Sequence, residues 1–229
     1  DSQIEGDRMT EYLRNRLQKK FGGCGVGTVP PTEIKGIRST IDFQTSGNFT
    51  KYEIFGVKKA SLHRDYGFLG SYHKFAYQRS GQTEPIRTVT GKLAFMPPTI
   101  PTYDLNKQVE RITIGFRNRF APLNIEATLN GTSIAQDSFP AQAGFQVMVV
   151  DGSGAFKKLQ LEFQSGGDPE IYGVSFDCEK GIALDNAPFR GSSGIEFTSV
   201  NQEFYRQQVE KMNIKLMILQ FGVNVIPYV

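Results

Sequence analysis

Residues 111–117 read RITIGFR. Ile112, Ile114 and Phe116 alternate with Arg111, Thr113, Gly115 and Arg117, the two-residue period of a strand with one face in a core and the other toward water. The same period recurs on both sides. Upstream, GIRSTIDFQT alternates Ile37, Ser39, Ile41 and Phe43, and VTGKLAFM alternates Val89, Gly91, Leu93 and Phe95. Downstream come NIEATLNG, FQVMVV, KKLQLEFQ and IYGVSFD, with the turn-forming stretches NGT, DGSG and SGGDPE between them. Short strands without intervening helices predict an antiparallel β-sandwich or jelly roll over residues 33–177.

Toward both ends the period changes. From Ile4 to Phe21, Met9, Tyr12, Leu13, Leu17 and Phe21 recur at three- and four-residue steps, predicting a helix with that stripe buried. GGCGVGTVPP ends it; this glycine cluster follows a helix and opens no second one, so it reads as a flexible exit rather than a phosphate loop. After Cys178, GIALDN reads as a short strand and APFRGSSG as a loop. A helix is expected from Ser199 to Met212, with Ser199 and Gln202 spaced as a capping box. IKLMILQFG then reads as a strand buried on both sides of a parallel sheet. The expected fold class is therefore α/β, half a doubly wound layer with a parallel sheet, carrying a large inserted all-β jelly-roll or sandwich domain.

The chain has 229 residues, 26 basic and 23 acidic, for a net charge of +3. That balance points away from nucleic acid as a partner. No apolar run approaches the about 20 residues of a membrane span. Cys24 and Cys178 have no metal spacing; a disulfide and two inert thiols are both open. His63 and His73 are the two histidines, both within the β-rich block.

Three segments fall where strands would turn into helices, the usual ligand edge of an α/β sheet. They are Asp1-Ser2, the NAPFRG loop and FGVN. Together they hold a serine hydroxyl at a helix N-terminus, a glycine N–H and an asparagine amide, which is a nucleophile with donors for a developing oxyanion.

At these residues the chain resembles the SGNH/GDSL hydrolases. DSQIEGDRMTEYLRNR is similar to their Gly-Asp-Ser block without its glycine and preceding strand. DNAPFRGSSG matches the second block with Asn186 and Gly191, and FGVN matches the Gly-x-Asn block, Gly222 to Asn224. Val225 stands where the family has an acidic residue, and no Asp-x-x-His occurs. By this resemblance the chain is cut at both ends, residues 1–32 and 178–229 form a discontinuous partial SGNH domain, and 33–177 is the insertion. The resemblance implies Ser2 as nucleophile, with Gly191 and Asn224 in the oxyanion hole and Asp1 and Asn186 in support. It implies no cofactor and no metal.

A sandwich inserted into such a domain is similar to bacterial peptidoglycan and carbohydrate O-acetylesterases. The implied activity is removal of O-acetyl groups from a carbohydrate polymer such as peptidoglycan, in the periplasm or outside the cell. The alternative is a non-catalytic glycan-binding or scaffold protein on a degenerate SGNH fold. Tyr66, Phe68, Tyr72 and Tyr103 are candidate sugar-facing aromatics. As written, without a general base, the chain is expected to be inactive.

Overall fold

A computed structural model of the chain describes residues 2–46, 49–55, 63–75 and 88–221, with side chains from residue 4 onward apart from that of residue 153. After a 3₁₀ turn (Ser2–Asp7) come α1 (Arg8–Phe21), β1 (Gly27–Val29), β2 (Asp42–Ser46), β3 (Thr50–Glu53), β4 (Ser71–Lys74) and β5 (Val89–Met96). They are followed by β6 (Gln108–Asn118), β7 (Leu123–Leu129), β8 (Thr132–Phe139), β9 (Gln142–Ala155), β10 (Leu159–Ser165), β11 (Glu170–Asp177) and α2 (Gln202–Lys211).

The strands form two sheets. One runs β3-β4-β11-β6-β9, with β1 also paired along β11, and the other runs β2-β5-β10-β7-β8. Every pair is antiparallel. The inward residues of RITIGFR, namely Ile112, Ile114 and Phe116, join Val174 and Phe176 of the same sheet and Phe95, Ile125, Leu161 and Phe163 of the other in one buried core. Phe95 meets Phe176 edge-on across the two sheets, with ring centroids 5.4 Å apart. The alternating pattern thus becomes a sandwich because each strand has one face to bury and a second sheet to bury it against. At the β7–β8 hairpin Asn130 and Gly131 take the positive φ values that such a two-residue turn requires. DGSG is no turn: it lies inside β9 beside a register shift against β6.

The expected parallel α/β layer is not found among the described residues. GIALDN is irregular, and Ile214–Gln220 form no strand. Leu216 and Ile218 are 77% and 78% exposed, so the apolar run that reads as a doubly buried strand lies in the open. An unbroken apolar stretch has no period, and composition alone does not say what covers it.

The first helix also departs from expectation. Glu5 and Gly6 have non-helical backbone angles, so α1 starts only at Arg8. Its buried residues are Thr10, Glu11, Arg14, Asn15 and Gln18, while Met9, Tyr12, Leu13 and Phe21 are exposed. The polar stripe faces the protein because the loops it packs against present carbonyls and side-chain hydroxyls, not an apolar surface. Gln18 Nε2 donates to Gly25 O (3.1 Å), and Arg14 Nε to Leu184 O (2.7 Å).

The glycine cluster after α1 is a crossing point. Cys24 and Cys178 form a disulfide, and beside it Ile182 N donates to Gly22 O at 2.9 Å. A Cβ on Gly23 would stand 2.4 Å from Ile182 O, and one on Gly181 2.1 Å from Gly22 C. Only glycine lets the two backbones approach this closely.

α2 lies on the outer face of the β3-β4-β11-β6-β9 sheet, where Phe204 joins Tyr66, Tyr72, Phe145 and Tyr172 in a second cluster. Asn201, not Ser199, caps it: its side chain accepts from Phe204 N. Among the described residues no helix is long and apolar enough to cross a membrane.

Candidate functional site

Ser2 opens the 3₁₀ turn that precedes α1; its side chain lies outside the described set, as do Asp1, Gly222 and Asn224. Gly191 is in an irregular loop with a φ of 77°, near the ring of Phe55. Asn186 is buried, and its Nδ2 donates to Ile4 O (2.8 Å) and to Asp7 Oδ1 (3.2 Å). Arg190 pairs with Glu5, Nη2 to Oε2, at 2.8 Å. The structure therefore brings the loop of Asn186 and Arg190, which continues into Gly191, against the turn that Ser2 begins.

Asp7 organises that junction, a residue the sequence reading passed over. Its carboxylate is fully buried and pairs with Arg14 at 2.9 Å, while Thr40 Oγ1 donates to it at 2.7 Å. Burial pushes the carboxyl up, but the charges of Arg14 and Arg38 and the hydrogen bonds from Arg14 and Thr10 outweigh this and hold it below its ordinary value. The available signal was spacing: Asp7, Thr10 and Arg14 lie three and four residues apart, on one helical face.

The histidines and two of the four candidate aromatics are structural. His63 Nε2 lies 2.7 Å from Glu170 Oε1, and Asp65 N donates to His63 Nδ1. Arg117 bridges Asp65 (2.6 Å) and Glu170, and its guanidinium lies 4.5 Å over the Phe204 ring. Burial raises the Glu170 carboxyl, yet the His63 hydrogen bond and the charges of Arg117, His63 and Lys74 hold it down to about 2. This network ties the 63–65 loop and α2 to β6 and β11. His73 is buried, as are Tyr66 and Tyr72, which are core residues rather than sugar-facing ones. Phe68 is half-buried; Tyr103 is exposed.

Among the described residues, the polar side chains on the outer face of the β2-β5-β10-β7-β8 sheet are exposed or half-buried. Strand register lines up its side chains in rows: Gln44, Ala94, Gln160 and Thr128 in one, and Ser46, Lys92, Glu162 and Glu126 in the next. Lys92 Nζ and Glu162 Oε2 pair at 2.6 Å, and Gln164 Nε2 donates to Glu162 Oε1 at 3.0 Å. A groove of about 290 Å³ runs over these rows. The small Ala94 lies between Gln44 and Gln160 and lowers its floor. Amides, hydroxyls and one ion pair line it, a set that exchanges hydrogen bonds with a polyhydroxylated ligand. Strand alternation alone makes such a face polar, which is why the sequence reading did not single it out.

No protein-family model matches the sequence, and no curated protein matches it. Among solved structures, a family 29 carbohydrate-binding module complexed with mannohexaose is 10% identical, covering 69% of this chain and 92% of that one with a TM-score of 0.35. CsCBM6-3 from Clostridium stercorarium, in complex with cellobiose, is 10% identical over 58% of this chain and 85% of that one, TM-score 0.34. A family two carbohydrate esterase from Cellvibrio japonicus is 12% identical over 71% of this chain and 36% of that one, TM-score 0.34.

Proposed function

We propose that this chain is a glycan-binding protein whose sandwich takes an oligosaccharide across the outer face of the β2-β5-β10-β7-β8 sheet. The carrying observation is the in-register polar rows: Gln44, Gln160 and Thr128 beside Lys92, Glu162 and Glu126, over a groove with Ala94 in its floor. Neighbouring strands stand about 4.8 Å apart, close to the length of one pyranose ring, so successive strands meet successive sugars. An acetylated polysaccharide or peptidoglycan is the proposed partner. The Cys24–Cys178 disulfide supports a place in the periplasm or outside the cell. The test is calorimetric titration with neutral oligosaccharides of glucose, galactose and mannose. Gln160→Ala with Glu126→Ala should weaken binding about tenfold, the loss of one good contact, with the fold intact by circular dichroism. Unchanged affinity in that variant would remove this face as the site.

A second reading, the serine esterase, is favoured by one specific observation: Asn186 and Arg190 hold the loop leading into Gly191 on the turn that Ser2 begins. In this reading Ser2 attacks an acetyl ester and Gly191 N–H, with Asn224, receives the oxyanion. Because these 229 residues hold no Asp-x-x-His base, this reading expects them to hydrolyse a chromogenic acetate ester at most slowly, and Ser2→Ala to abolish whatever rate they show. A rate unaltered by that change would assign any hydrolysis elsewhere.

A further inference from the structure

A second concavity, of about 220 Å³, lies between α1 and the loop before β6. Asn15, Lys19, Thr102, Tyr103, Asp104 and Leu105 line it. Asn15 and Lys19 are four residues apart on α1 and so share a face. The helix is held to the loop from below. The buried Glu11 accepts from Thr102 Oγ1 and, at 2.9 Å, from Asn106 Nδ2, while Gly25 N donates to Leu105 O at 2.8 Å. Both walls are therefore fixed before any ligand arrives, which lowers the ordering cost of binding.

The lining is unusual for a structural seam. The Asn15 carboxamide is 4% exposed and has no hydrogen-bond partner among the described residues, although it borders the concavity. Its amide atoms are not among the fully buried unpaired groups, so a ligand hydroxyl can bond to them from the concavity. Tyr103 presents an exposed ring, the Lys19 ammonium has no ion-pair partner among the described residues, and the Asp104 carboxylate is 95% exposed. An apolar ring face, an amide, a cation and a hydrogen-bond acceptor converge in a space the size of one monosaccharide.

We propose that this concavity binds a single carboxylated sugar, a uronic acid unit of an acidic glycan, as a site separate from the sheet groove. The sugar's C–H face stacks on Tyr103, its carboxylate meets Lys19, and its hydroxyls bond to Asn15 and Asp104. The inference rests on the reading of the chain as a glycan binder, but not on the sheet face being the place of binding.

The experiment is titration of the whole chain with trigalacturonate and, as the neutral counterpart, galactotriose, followed by calorimetry and by amide chemical shifts. Wild type should bind trigalacturonate more tightly than galactotriose, with shifts at residues 15–19 and 102–105. Tyr103→Ala should weaken trigalacturonate about tenfold, and Lys19→Gln should weaken it about fivefold while sparing galactotriose. Both positions are on the surface, so neither change threatens the fold. Three results overturn the inference: equal affinity for the two trisaccharides, trigalacturonate binding untouched by either change, or no binding of trigalacturonate at all. If binding is lost in Gln160→Ala with Glu126→Ala instead, the sheet face keeps the glycan reading and this concavity loses its role.

Discussion

Arg14 and Asp7 form a fully buried, two-pronged ion pair, Nη1 to Oδ2 at 2.9 Å and Nη2 to Oδ1 at 3.0 Å. The pair is reached by Thr10, Thr40 and Asn186 as well, so one carboxylate joins α1, the 38–40 loop and the 184–186 segment. Removing one member strands the other charge without water. Arg14→Ala or Asp7→Ala should each cost about 3–5 kcal/mol of stability. The double substitution should cost less than the sum. Denaturant midpoints of the four proteins measure this, and additive losses would show that the pair is not coupled.

Two buried groups give the stability curve opposite slopes. Burial, reinforced by the charge of Lys51, pushes His73 down to about 3. The unfolded chain binds its proton near pH 6.5, so this histidine makes stability fall as pH drops below that value, by about 2 kcal/mol at pH 5. His73→Leu should remove that part of the slope between pH 6.5 and 4, seen in denaturation at a series of pH values. An identical slope in the variant would mean that His73 protonates without unfolding cost.

Asp177 acts the other way. Burial first, then the Asp185 charge, push its carboxyl up to about 7. Its folded value exceeds its unfolded one, so its contribution is complete below the ordinary carboxylate range and is lost as pH rises through 7. Asp177→Asn should therefore raise stability at pH 8 relative to wild type and leave pH 4 nearly unchanged. A variant equally destabilised at both pH values would refute the assignment.

The Cys24–Cys178 bond spans 154 residues of sequence. Closing a loop of that size limits the unfolded chain, and reduction should cost about 4–5 kcal/mol. Thermal melts with and without reductant, beside Cys24→Ser with Cys178→Ser, test it. A melting temperature indifferent to reductant would show that the glycine crossing holds without the bond.

Phe204 is the apolar anchor of α2, packed on Phe145 and Tyr172 and under the Arg117 guanidinium. Phe204→Ala should cost about 3–5 kcal/mol. It should also open α2 to limited proteolysis ahead of the strands. Simultaneous cleavage throughout would place α2 within the same cooperative unit as the sandwich.

The strands were legible because NIEATL and RITIGFR have the same meaning in any antiparallel sandwich: alternate residues go in, and the next sheet covers them. The ends were not, because burial there inverts the ordinary rule. Met9, Tyr12 and Leu13 form a clear stripe, yet Thr10, Arg14 and Gln18 are what the neighbouring loops can hydrogen-bond. IKLMILQ carries no period that says what covers it. Of the candidate site, Asn186 came from the family resemblance alone, and the structure places it in the loop that meets the first turn. Asp7 and the sheet-face rows were not, since one depends on partners from three distant segments and the other on register.

The disulfide also governs how the molecule would bear load. Among the described residues every strand lies between Cys24 and Cys178, and α1 and α2 lie outside them. Tension applied to the two ends peels the helices and then passes straight through the sulfur–sulfur link, leaving both sheets unloaded. The strands thus form a mechanically shielded ring, with roughly 500 Å of contour length held in reserve. A force–extension record should release that length only after the bond is reduced, so the sheets should stay folded while the chain is pulled.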